Sequence, residues 1–201
     1  MRLRLVVGSV VATALISAVA CVVSIAGDLE RIKEKVRHDF PTVRQVSTDA
    51  LKARIERGEA AVLLDVREAS EFAVSHLPGA RRVDPSPLSL EPFQDLPKDR
   101  EIVVYCSVGY RSSRLAEFLQ ANGYSNVENL EGSIFEWAEK GFPLVQGSHT
   151  VQKVHPYSRA WAWLVSESLR AYAPSEALPP EALPSEPAPG ADREQASGHS
   201  Q

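Results

Sequence analysis

Cysteine is scarce in this chain, which has two, Cys21 and Cys106. Cys21 lies in an apolar N-terminal run, so no disulfide to Cys106 is expected. No Cys/His set stands at metal-ligand spacing, so zinc is not expected either. A basic excess is also missing. The 22 Lys and Arg residues face 26 Asp and Glu, giving a net charge of −4, and nucleic acid is not an implied partner. No internal repeat is present. The 201 residues leave room for one ordinary domain plus extensions.

Charge is absent altogether between Arg4 and Asp28. The run Leu5 to Gly27 is long enough to span a bilayer as a helix. Arg2 and Arg4 precede it, which keeps the N-terminus in the cytoplasm and exports the rest. Two rival readings exist. Ala18-Val19-Ala20 is a signal-peptidase pattern, and the same residues followed by Cys21 resemble a bacterial lipoprotein signal. Val22 to Ile25 continue the apolar run past both cleavage points, which favours an uncleaved anchor. The expected organisation is an anchor or signal over 1–27, a juxtamembrane helix and linker over 28–42, and a globular domain over 43–146. A helical extension over 147–173 and a disordered tail rich in Pro, Ala and Glu over 174–201 follow.

Strand and helix patterns alternate through the domain. Val43 to Val46 reads as a strand, followed by a helix capped by Thr48 that carries Leu51 and Ile55 and stops at Gly58. Ala61 to Leu64 and Ile102 to Tyr105 are short apolar runs, as in strands buried on both faces. Glu68 to Ser75, Arg114 to Asn122 and Ile134 to Lys140 read as helices, and Val127 to Leu130 as a further strand. This order predicts an α/β fold with a parallel sheet covered on both faces. Pro156 to Tyr172 carries Trp161, Leu164, Val165, Leu169 and Tyr172 at helical spacing, and predicts one more helix.

Reactive chemistry falls at two strand ends. Cys106 ends Ile102 to Tyr105, and Asp65-Val66-Arg67 follows Val62 to Leu64. A thiol at the carboxyl end of a strand, facing a helix start, meets converging backbone N–H groups and the positive end of the helix dipole. These favour a thiolate and hence a nucleophile. Ser107, Val108, Gly109, Tyr110 and Arg111 supply N–H groups in a tight turn, an anion cradle. Gly109 permits a left-handed conformation, and Arg111 offers a planar fork for oxyanions. Asp65 is placed to accept hydrogen bonds from the loop or to pair with Arg111. Arg67 and Glu71, four apart, read as a structural pair. His76 sits in a turn sequence, and His155 is assigned no role. A small oxyanion over a thiolate suits phosphate-ester hydrolysis or sulfur transfer. Four residues separate Cys106 from Arg111, and this short loop suits a single outer sulfur better than a phosphoryl group.

Three blocks carry a family resemblance. They are Leu63-Leu64-Asp65-Val66-Arg67-Glu68 with Glu71-Phe72 and His76-Leu77-Pro78-Gly79-Ala80; Val103 through Ser112; and Gly123-Tyr124 with Val127 to Ile134, Trp137 and Gly141-Phe142-Pro143-Leu144. In these the chain resembles the single-domain rhodaneses, the thiosulfate sulfurtransferase family. The resemblance implies a three-layer fold with a five-stranded parallel sheet. It implies that Cys106 takes the outer sulfur of thiosulfate, or of a persulfide donor, and passes it to cyanide, a thiol or a protein acceptor. It further implies that Asp65 supports the loop, that Arg111 orients the oxyanion and that Ser112 caps the following helix. No cofactor is implied, since the cysteine carries the sulfur. The alternatives are a non-catalytic interaction module of the same fold and, disfavoured by loop length, a small phosphatase or arsenate reductase.

Overall fold

The computed structural model describes residues 24–59, 61–179 and 182. A helix over 24–39 (α1) leads into β1 (Arg44–Val46), α2 (Thr48–Glu56), β2 (Val62–Asp65), α3 (Ala69–Val74) and β3 (Arg81–Arg82). After a 3-10 turn at Glu91–Phe93 come β4 (Ile102–Tyr105), α4 (Tyr110–Ala121), β5 (Val127–Leu130) and α5 (Ser133–Glu139). A hairpin of β6 (Leu144–Gln146) and β7 (His149–Val151) follows, then 3-10 turns and α6 (Pro174–Ala177).

Five parallel strands form the main sheet in the order β1-β5-β4-β2-β3. The central strand β4 is buried at every position. Ile102, Val104 and Cys106 belong to one apolar cluster, and Val103 and Tyr105 to the other. This period-two alternation buries both faces, as an unbroken apolar run requires. Helix α4 packs Leu115, Ala116 and Leu119 on one face, while α2 and α5 pack Leu51, Ile134 and Trp137 on the other. The expected α/β architecture and five-stranded parallel sheet are present. The fifth strand, β3, is only two residues long and had no signal of its own.

Helix α1 is not a free linker. Ile25 and Leu29 enter one cluster, and Val36 and Phe40 the other. Lys33 bridges to Glu136 at 3.1 Å, and Arg37 pairs with Glu131. Most of the expected membrane segment, residues 1–23, lies outside the described residues. Among the described residues no helix is long and apolar enough to cross a membrane.

Other boundaries shift for local reasons. Ser47 rather than Thr48 caps α2, its Oγ accepting from the Ala50 N–H at 3.2 Å. Thr48 is buried instead and donates to Glu136 Oε1 at 3.1 Å. Helix α4 begins at Tyr110, not Arg114, because Gly109 at φ 101° turns the chain straight into it. The expected helix at Pro156 to Tyr172 is absent. In its place are 3-10 turns at Ala162–Leu164 and Glu167–Leu169. Val154 bridges Arg170 and closes this segment into a loop, and pairing of its two ends displaces a helix. Part of the expected disordered tail is ordered: α6 buries Ala177 against Val74 and Ala171. Beyond it, residues 180–181 and 183–201 lie outside the described residues.

Candidate active site

The carboxyl end of the central strand delivers Cys106, the place where open α/β sheets form their sites. The segment after it is clamped from β5 and α5. The Cys106 N–H donates to Ser133 Oγ at 3.2 Å, and the Cys106 carbonyl accepts from the Ile134 N–H at 3.2 Å. The Ser107 carbonyl accepts from the Phe135 N–H at 3.1 Å. These donors are the first amides of α5, which have no partner within their own helix.

Gly109 then aims its N–H at Cys106 Sγ, 3.2 Å away. The first N–H groups of α4, starting at Tyr110, follow on the same turn. The amino end of α4 is the positive end of its dipole. Gly109 has φ 101°, and a Cβ on it would stand 3.1 Å from Asn129 Nδ2. Gly109→Ala therefore combines left-handed strain of about 1–2 kcal/mol with a clash beside the thiol. The expected result is a roughly 10–100-fold slower reaction of Cys106 with a small electrophile, since displacement of a reacting group by about 1 Å costs that much. Gly58 is the control, at φ 72° with open space where a Cβ would stand and no heavy atom within 4 Å. Gly58→Ala should carry the strain without the rate loss.

Arg111 lies in the first turn of α4 and is not an open oxyanion fork. Its Nη1 and Nη2 donate to Glu71 Oε2 and Oε1 at 2.9 and 3.0 Å, and Nη2 also reaches Ser107 Oγ at 3.0 Å. Ser107 Oγ donates to Glu71 Oε1 at 2.9 Å. Glu71 is held in turn by the capping box of α3, accepting from the Glu68 N–H at 3.0 Å. Burial opposes the Glu71 charge, but the Arg111 hydrogen bonds and charge outweigh it and lower its pKa. Burial likewise opposes the Arg111 charge, and Glu71, with Cys106 close by, more than offsets it.

A depressed carboxylate contributes stability that is in place above its unfolded pKa of about 4.3 and is lost as pH falls through the folded value. Acidification from about pH 6 to pH 3 should therefore lower the urea midpoint of the wild type more steeply than that of Glu71→Gln. Parallel curves would remove Glu71 from the account. At neutral pH, Glu71→Gln should cost about 2 kcal/mol, as one charge-assisted pair is weakened.

Asp65 meets neither the loop nor Arg111. It pairs with Arg67, whose Nε and Nη2 donate to it at 2.9 and 2.7 Å with both side chains fully buried. The expected Arg67–Glu71 pair is thus replaced by Asp65–Arg67 and Glu71–Arg111. Arg67 Nη2 also donates to the Ser75 carbonyl at 2.6 Å, tying β2 to the end of α3. Burial works against its charge, and Asp65 more than restores it. Ser112 does not cap α4. It sits inside the helix and donates to Asn129 Oδ1 at 2.6 Å, while Ser113 Oγ donates to the Gly109 carbonyl at 2.8 Å. Asn129 Nδ2 goes on to Gln45 Oε1 at 2.7 Å, so β5 braces the loop. His76 stacks on Phe72 and contacts its carbonyl through Nδ1 at 3.1 Å, away from the thiol.

A cavity of about 220 Å³ opens above Cys106. Ser107, Val108, Tyr110 and Arg111 line it, with Phe135 of α5 and, from the C-terminal segment, Tyr157 and Trp161. Val108 is buried, and Tyr110 stands at the rim with its ring edge against Phe40, 5.1 Å between centroids. From the sequence alone no site role falls to Glu71, Asn129, Ser133, Tyr157 or Trp161, which the structure brings to the thiol, its loop or the cavity. Gly132-Ser133 ahead of an apolar helix was a usable signal for the clamp.

The parallel α/β sheet presents the Cys106 thiol at the carboxyl end of its central strand, with the Gly109 N–H on the sulfur and a cavity above it. Residues 47–140 match the family model described as Rhodanese-like domain. Over 105 residues the chain is 35% identical to a sulfurtransferase of Allochromatium vinosum, covering 51% of this chain and 95% of that protein. It is 32% identical to the thiosulfate:glutathione sulfurtransferase of Saccharomyces cerevisiae, over 40% of this chain and 66% of that one. Among solved structures, the rhodanese-related protein of Thermoplasma volcanium is 32% identical, with TM-score 0.46, covering 51% of this chain and 98% of that one. The chain belongs to the rhodanese-like family, with sulfurtransferase relatives.

Proposed function

We propose that the protein transfers a sulfane sulfur through a persulfide on Cys106. The observation that carries this reading is the Gly109 N–H directed at Cys106 Sγ at 3.2 Å, at the foot of an open cavity. The Cys106 thiolate attacks the outer sulfur of the donor. A bond forms from Sγ to that sulfur, the donor S–S bond breaks, and the leaving group departs with the electron pair. From thiosulfate the leaving group is sulfite. In the Cys106 persulfide, Sγ keeps the Gly109 N–H and the charged terminal sulfur extends from it into the cavity. Cyanide, a thiolate or a protein acceptor attacks the terminal sulfur and regenerates the thiolate. Glu71 and Arg111 position Ser107 and hold the loop.

The apolar run from Leu5, ending before Ile25 because that side chain packs into the domain core, supports a second part of the reading, a membrane anchor with the domain exported. Retention of the full chain in membranes after an alkaline wash tests it, and release into the wash would overturn it.

Sulfur transfer is tested by thiocyanate formation from cyanide with thiosulfate or a persulfide donor, together with the intact mass of the donor-treated protein. Turnover and a gain of one sulfur support the reading. A folded protein showing neither, with every donor, favours the non-catalytic interaction module. Phosphate-ester hydrolysis in its place would favour the phosphatase.

A further inference from the structure

The wall of the cavity comes in part from outside the matched domain. Tyr157 and Trp161 stand in the loop that runs from Val154 to Arg170, beyond residues 47–140. The loop is fastened at both ends. The Val154 N–H donates to the Leu169 carbonyl at 2.8 Å, and the Ala171 N–H to the Val154 carbonyl at 3.1 Å. It is also fastened in the middle, where Ser166 donates through N and Oγ to the Glu139 carboxylate of α5 at 2.5 and 2.8 Å. Leu164 and Val165 are fully buried beneath it. Tyr157 holds a left-handed backbone at φ 66°, which a non-glycine residue keeps only under constraint from its surroundings. The effect is to set its ring over Arg111, 4.8 Å from the guanidinium carbon. Trp161 meets Tyr157 edge-on, 6.4 Å between centroids.

Two consequences bear on what enters. The lining beside the thiol is apolar and aromatic: Val108, Tyr110, Phe135, Tyr157 and Trp161. Arg111, the charged residue of that lining, is already neutralised by Glu71 and covered on one face by Tyr157. With Cys106 as thiolate the cavity holds net negative charge. A small dianion meets repulsion from that charge, and the guanidinium that would bind it is already engaged by Glu71 and Ser107. A monoanion carrying a hydrocarbon body meets less repulsion and gains the aromatic surface.

We propose that Tyr157 and Trp161 are specificity-determining residues that select sulfane donors with one negative charge and an apolar body over thiosulfate. This rests on sulfur transfer at Cys106. An organic thiosulfonate is such a donor. The Cys106 thiolate bonds to its outer sulfur, the S–S bond breaks, and the sulfinate leaves with the electron pair. No proton or external redox partner is needed.

The test uses the full chain with cyanide as acceptor and three donors: thiosulfate, methanethiosulfonate and benzenethiosulfonate. Comparing the two thiosulfonates holds the charge and the sulfinate class of leaving group fixed while the body grows. The wild type should favour the benzene donor over the methane donor in kcat/KM, and both over thiosulfate. Trp161→Ala should lower the benzene-to-thiosulfate ratio by roughly tenfold, the scale of one aromatic contact. Trp161→Phe should restore most of it. Trp161 is part exposed, so its truncation leaves no closed void in the core. A ratio unchanged in Trp161→Ala, or a wild type that favours thiosulfate, overturns the selection while leaving sulfur transfer standing. No turnover and no Cys106 persulfide with any donor would remove both.

Discussion

Cys106→Ser is expected to reduce thiocyanate formation by about 10³-fold or more while the protein remains folded. The chemistry requires it. A serine oxygen at neutral pH is protonated, and it cannot carry a terminal sulfur as a persulfide that a second nucleophile displaces. The fold should tolerate the change. Cys106 is 1% exposed and its Sγ accepts one hydrogen bond, from the Gly109 N–H, which a hydroxyl oxygen can also receive. The expected stability change is within about 1 kcal/mol. Intact mass adds an independent readout, since the wild type treated with donor should gain one sulfur and Cys106→Ser none. The only other cysteine is Cys21, so residual turnover in Cys106→Ser that disappears in the doubly substituted protein would move the sulfur to Cys21.

The site was legible in the sequence where chemistry and local geometry coincide. Strand β4 is readable as an unbroken apolar run, and Cys106, Gly109 and Arg111 follow from a strand end, a left-handed position and a loop of fixed length. Which charges pair was not legible. Arg67 and Glu71 stand at helical spacing, but Arg67 precedes α3 and has non-helical company, so its guanidinium turns back to Asp65. Glu71 is thereby released to reach Arg111, 40 residues away. Pairings at such separation depend on strand order, and β2 lies next to β4 in a way that no local pattern states. The C-terminal loop failed for a different reason. Trp161, Leu164, Val165 and Leu169 imitate a helical stripe, yet Leu164 and Val165 are buried while Trp161 faces the cavity. Closure of the loop by Val154 and Arg170 determines its path, and that contact is invisible to periodicity.

The largest effect on stability should come from Asp65→Ala, at about 3–5 kcal/mol in urea unfolding, a large part of the 5–15 kcal/mol typical of a domain. Asp65 takes hydrogen bonds from the Arg67 backbone N–H at 3.0 Å and from its guanidinium. Without Asp65 the guanidinium keeps the Ser75 carbonyl but no paired carboxylate, Glu71 acting on it only at a distance, and its Nη1 already has no hydrogen-bond partner among the described residues. The Tyr105 ring, 5.9 Å from the guanidinium carbon, cannot substitute by ionising, because burial pushes that phenol well above its ordinary pKa. Loss of contact area and a stranded charge predict different outcomes in the double variant. If area dominates, Asp65→Leu with Arg67→Met is no better than the sum of its parts. If the stranded charge dominates, that double variant should be at least about 2 kcal/mol more stable than Asp65→Ala, since apolar replacement of a whole buried pair is often neutral. The charge account predicts the second result. An Asp65→Ala cost below about 1 kcal/mol would mean that Arg67 swings out to water, and that the turn from β2 into α3 is held by its capping box and backbone bonds instead.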